Sequence, residues 1–90
     1  MLFMVIEHYR PGTAAEVYRR FRDRGRLMPD GVRYVSSWVD RSFSRCFQVM
    51  DAASEAALRE WTERWADLVD FEVVPVRTSE DAAREIEPHL

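Results

Sequence analysis

The sequence predicts an α+β fold: a four-stranded antiparallel sheet, two helices covering one of its faces, and a short helix at the C-terminus. Three features lead to it. Turn signals built on Pro and Gly cut the chain into short units. Four units are short runs rich in β-branched and aromatic residues, as strands are. Three others carry apolar residues at helical spacing behind Thr13, Ser54 or Thr78, residues suited to capping a helix.

Leu2 to Tyr9 is an apolar run ended by Arg10-Pro11-Gly12, which stops a strand and makes a turn. Thr13-Ala14-Ala15-Glu16 fits a capping box, in which hydroxyl and carboxylate each take a free backbone N–H. Ala14, Val17, Tyr18, Phe21 and Met28 then recur at roughly helical spacing, giving a helix over residues 13–27 that Gly25 bends or ends. Met28-Pro29-Asp30-Gly31 is a stop. Residues 32–40 and 43–50 read as a hairpin turning at Arg41-Ser42. Ser54 caps a second helix carrying Leu58, Trp61, Trp65 and Leu68. Residues 71–76 form the fourth strand, and Pro75, lacking an N–H, suits an edge or a bulge. Thr78-Ser79-Glu80-Asp81 caps a last helix that ends near Ile86, before Pro88. The order β-α-β-β-α-β plus a terminal helix is the split-βαβ, ferredoxin-like arrangement, expected as one domain over residues 1–90.

Composition mostly excludes. A net charge of −3 argues against nonspecific nucleic-acid binding, which needs a cationic field. One cysteine rules out an intramolecular disulfide and a multi-cysteine zinc site. All 13 basic residues are Arg, and the chain has no Lys and no Asn, a bias that suits a GC-rich bacterial genome. No run approaches the roughly 18 apolar residues of a membrane span. Met1 to Ile6 is too short for a signal-peptide core, so no membrane partner and a cytoplasmic location are expected. Ninety residues leave little room to enclose a pocket of roughly 300 Å³ or more. A buried ligand site is therefore expected to need a second chain.

Two helices cover one face of the sheet, which leaves the other to a partner. Alternation sorts strand residues into two sets. The purer apolar sets, Phe47/Val49 and Phe71/Val73, are assigned to the helix side. The mixed sets are assigned to the open face: Tyr34, Ser36, Trp38, Cys46, Gln48, Met50, Glu72 and either His8 or Glu7. That amphiphilic surface suits a sheet-to-sheet homodimer enclosing a lumen, with Tyr34, Ser36, Trp38, Gln48 and Met50 as ligand-binding candidates.

Three residues are candidates for catalysis. His8 is a general acid or base if a carboxylate lies beside it. Glu72, on the neighbouring strand, is the natural partner, because Glu7 points to the opposite face. Cys46 is a nucleophile if its pKa is lowered. The commoner roles of such residues are structural: a strand-end His, a surface ion pair and a small buried hydrophobe. The run Tyr18 to Arg26 holds five arginines that share no single helical stripe, so a solvated face paired with Glu16 and Asp23 is expected. Trp61 and Trp65, four apart, belong to the core. Two histidines and three glycines carry no metal-binding or phosphate-loop motif, so no metal and no cofactor are expected.

The segments MLFMVIEHYRPG, YRRFRDRGRLMPDGVRYVSSWVD, SRCFQVMD and LREWTERWADLVDFEVVPV resemble a family of small bacterial proteins catalogued only as a domain of unknown function. The resemblance covers about residues 1–77. It implies the dimeric α/β barrel, in which two ferredoxin-like chains pack sheet to sheet. It brings no established activity and no catalytic residues. The functional expectation is a homodimeric protein that binds a small organic ligand or serves as an accessory. The alternative is a small cofactor-free enzyme of monooxygenase or isomerase type, with its site between sheet and helices or in the dimer lumen.

Overall fold

Each strand begins or ends where the sequence breaks its β-formers. The computed structural model describes residues 1–90. Its strands are β1 (Leu2–Tyr9), β2 (Val32–Val39), β3 (Arg45–Ala52) and β4 (Val69–Val76), and its helices are α1 (Ala14–Arg24), α2 (Glu55–Glu63) and α3 (Ser79–Ile86). A single turn of 3₁₀-helix at Glu87–His89 closes the chain. The strand order is β2-β3-β1-β4, with every neighbouring pair antiparallel. This is the ferredoxin-like α+β topology. Pro75 sits on the edge strand β4, where its missing N–H disturbs no central ladder.

Two of the three anticipated caps form. Ser54 accepts from the N–H of Ala57, and Thr78 accepts from that of Asp81. The capping box at Thr13 does not form. The Thr13 hydroxyl turns away to donate towards the carbonyls of Arg10 and Leu68, which tie the β1–α1 turn to the start of β4. Glu16 instead pairs with Arg19. Helix α1 stops at Gly25, short of the expected end at Leu27, because the chain there turns to φ 68° and ψ −158°. That region is essentially open only to glycine. The β2–β3 turn is organised by Asp40, whose carboxylate accepts from the backbone N–H groups of Ser44 and Arg45 and from the Ser44 hydroxyl. These bonds hold the Asp40 carboxyl well below the usual carboxylate range.

The core lies between the sheet and the helix layer. Phe3, Val5, Met50, Ala52, Leu58, Trp61, Trp65 and Val69 are buried there, with Val17 of α1 beside them. Trp61 and Trp65 are core residues, as expected, and Trp61 meets Phe71 edge to face.

The assignment of β3 to the two faces is the reverse of that expected. Cys46, Gln48 and Met50 are buried under the helices, and Phe47 and Val49 lie on the open side, half-buried. The register explains it: Met50 pairs with Phe3, Gln48 with Val5 and Cys46 with Glu7, so these residues share the helix-facing side of β1. Strand β2 departs in another way. Its pairing with β3 slips between Tyr34 and Ser36, leaving Val35 as an extra, bulged residue. Tyr34 therefore faces the helices opposite Met50. Ser36 and Trp38 face the open side opposite Val49 and Phe47. On β4, Phe71 and Val73 face the helices and Glu72 the open side, as expected.

Helix α3 stands apart. None of its residues is buried, and Ile86 is exposed. The molecule measures 48 × 30 × 17 Å with a radius of gyration of 14.8 Å, against about 12 Å for a compact chain of this length.

Candidate functional site

Phe3, Val5 and Glu7 are buried and Tyr9 half-buried on one side of β1, which carries a carboxyl group into the space between the layers. A cavity of about 170 Å³ opens there. Its floor is the sheet, with Glu7 and Tyr9 from β1, Cys46 and Gln48 from β3, and Ser37 and Val39 from the part of β2 beyond the bulge. Its walls are Val17, Tyr18 and Phe21 of α1, with Trp61 and Trp65 behind. The cavity belongs to a single chain, and it is smaller than the roughly 300 Å³ of ordinary ligand pockets.

The polar groups on the floor form a chain. Glu7 is 7% and Gln48 5% exposed. The Gln48 Nε2 amide donates to Glu7 Oε1 at 2.6 Å. Burial raises the Glu7 carboxyl to about 7, against the pull of hydrogen bonds from Cys46 and Gln48 and of the nearby positive charge of Arg26. The Cys46 thiol is pushed up to about 12, by burial first and then by the adjacent Glu7. Tyr9 is raised as well, chiefly by burial. A thiol so placed stays protonated and is a poor nucleophile at neutral pH. Gln48 Oε1 is buried and has no hydrogen-bond partner.

Arg26 completes the rim, and sequence spacing did not mark it out. The pivot at Gly25 takes it off the helix and turns it inward, so helical periodicity does not apply to it. Both indole N–H groups, of Trp61 and Trp65, donate to its carbonyl at 2.9 Å. Its guanidinium lies 3.7 Å from the centre of the Tyr34 ring and 5.0 Å from that of Phe21, as in a cation–π stack. Arg19, Arg20 and Arg22 are paired with Glu16, Asp67 and Asp23. Arg26, half-buried, is in no ion pair.

The other candidates are divided between the two faces. His8 and Glu72 lie together on the open face, Nε2 to Oε1 3.8 Å, both well exposed. Trp38 and Ser36 share that face, and Trp38 is 59% exposed. Cys46, Gln48, Met50 and Tyr34 are on the helix side. Of these, Cys46 and Gln48 line the cavity. Met50 is packed in the core, and Tyr34 hydrogen-bonds Ser37 at 2.8 Å across the bulge. The anticipated set therefore does not gather in one place: Glu72 and His8 are separated from Cys46 by the thickness of the sheet. No three His, Cys, Asp or Glu side chains converge as metal ligands would. No helix is long and apolar enough to cross a membrane.

A family model described as a domain of unknown function (DUF3303) matches residues 1–90. The crystal structure of an uncharacterized NIPSNAP domain protein from Burkholderia xenovorans is similar, with a TM-score of 0.50 and 13% identity over 88% of this chain and 97% of that one. At that identity the likeness shows the fold alone. No curated protein matches the chain.

Proposed function

The chain belongs to the DUF3303 family of domains of unknown function, and we propose that it is a homodimeric protein that binds a small organic molecule in a cavity each protomer builds for itself. One observation carries this reading. Between the sheet and the helices an aromatic-walled cavity keeps the buried Glu7–Gln48 pair on its floor and the unpaired Arg26 guanidinium at its rim. Apolar and aromatic walls with a few convergent polar groups are the usual make-up of a small-molecule site.

The dimer is supported by the open face. Met4, Ile6, Phe47 and Val49 are half-buried there, and Val74 and Trp38 are exposed, while both sheet-covering helices lie on the opposite side. A second sheet packed on this face would cover them and the His8–Glu72 pair.

Native mass spectrometry of the protein from its source cell tests both halves. The expected mass is that of two chains with a small organic molecule retained. A single-chain mass overturns the dimer. A bare protein whose Tm no fragment library raises overturns the ligand.

A second reading, an acid–base enzyme without cofactor, is favoured by the Glu7 carboxyl, whose rise to about 7 suits proton transfer near neutral pH. In that reading Glu7 handles the proton in the cavity. His8 and Glu72 serve only if the dimer encloses them. Substitution of His8 or Glu72 by Ala is expected to leave cavity chemistry intact, and Glu7→Gln to abolish it.

A further inference from the structure

Resting on the cavity reading, we propose that the ligand is a small aromatic carboxylate bearing a hydrogen-bond donor at its far end, such as a hydroxy- or amino-substituted ring acid. Complementarity to the groups around the cavity carries this.

Arg26 supplies the site for the anion. Its guanidinium is fixed between two rings, borders the cavity, and makes neither an ion pair nor a hydrogen bond within the chain. A guanidinium offers five donors in a planar fork matched to a carboxylate. Stacking orients such a fork without using any of its donors. The other arginines without a carboxylate partner, Arg24, Arg41 and Arg59, are exposed to water, which satisfies them.

Gln48 and Glu7 ask for the opposite. Gln48 has already given Nε2 to Glu7, and what the pair has left to offer is acceptors: Gln48 Oε1 is buried without a donor, and Glu7, once ionised, only accepts. A ligand carrying two acceptors would bring no donor to this pair, and a ligand carrying only donors would leave Arg26 unmet. One anionic end and one donor end satisfy both. Between them the walls are Val17, Tyr18, Phe21, Val39, Trp61 and Trp65, which take a flat apolar body. A cavity of about 170 Å³ is of a size to seat a single ring.

The test uses four probes and the indole N–H signals of Trp61 and Trp65 in a nitrogen-15 NMR spectrum, since both indoles hang on the Arg26 carbonyl. 4-Hydroxybenzoate carries anion and donor, benzoate lacks the donor, 4-hydroxybenzamide lacks the charge, and benzamide lacks both. 4-Hydroxybenzoate is expected to shift both signals and to bind about tenfold more tightly than either single-deletion probe. Arg26→Gln is expected to erase the preference for acid over amide. Gln48→Met, which keeps the volume, is expected to erase the preference for hydroxybenzoate over benzoate. Equal binding of all four probes by the unaltered protein overturns the proposal and leaves the cavity reading standing. No shift from any probe at millimolar concentration overturns this proposal, while the cavity reading falls only if the fragment library and the native mass also find no ligand. The probe series needs no variant to fold, so it decides even if a substitution unfolds the chain.

Discussion

A carboxyl group at residue 7 has lost almost all of its water and gained one amide and one thiol in exchange. Its raised pKa makes it a liability to the fold above neutrality. Below about pH 4.5 the group is protonated in both the folded and the unfolded chain and has no effect. As pH rises towards about 7 the unfolded chain ionises first, so folded Glu7 retains a proton that unfolded Glu7 has lost, and stability falls. The full difference is on the order of 3 kcal/mol. Glu7→Gln removes it. In urea denaturation the variant is expected to gain on the unaltered protein by that amount as pH rises from acid to slightly alkaline, and a parallel pair of pH curves would refute the buried, protonated state. None of this was legible in the sequence. A glutamate in the strand Leu2–Tyr9 has an even chance of facing either way, and composition favours placing it in water. What decides is the register of β1 against β3, which aligns Glu7 with Cys46 and sets Gln48 beside them.

Among the elements, α1 has the largest effect on the cavity through the way it ends. Its end at Gly25 is a backbone pivot, and the next residue presents its guanidinium to the cavity and its carbonyl to two tryptophans. A β-carbon at Gly25 would touch nothing, so the cost of Gly25→Ala is conformational alone. It is expected at about 1–3 kcal/mol, read as a lowered denaturation midpoint together with displaced Trp61 and Trp65 indole signals. A loss of stability without that displacement would separate the pivot from the cavity. The boundaries of the elements were largely legible, because Pro11-Gly12, Pro29-Asp30-Gly31 and Ser54 mark them in local chemistry. Faces were not. Strands β1 and β3 carry apolar side chains on both sides, so purity of a set said nothing about which side was buried. Phe47 and Val49 face outward while Gln48 faces inward, against the usual sense of the hydrophobic rule.

At the scale of the molecule, the helices cover one side of the sheet and α3 covers none of it. The open side holds an apolar band with Phe47 at its centre strand and Trp38 opposite it on the edge strand. Phe47→Glu places a charge in that band without touching the cavity. Light scattering is expected to give two chains for the unaltered protein and one for the variant, with unchanged circular dichroism. A single-chain mass for the unaltered protein would show that the band is covered by something else or tolerated bare. The bulge at Val35 gives this arrangement its particular character. It is a change of parity within one strand: Tyr34, Ser37 and Val39 look one way, Ser36 and Trp38 the other. Were Val35 taken up into the regular ladder, everything beyond it would reverse its sense, sending Trp38 into the cavity and Ser37 to the open face, whereas removing Val35 altogether would leave each facing as it is. A slip of register in β2 is thus a different kind of event from a substitution. It exchanges the lining of the cavity for that of the open face in a single step, so the two sides of this strand are not set independently.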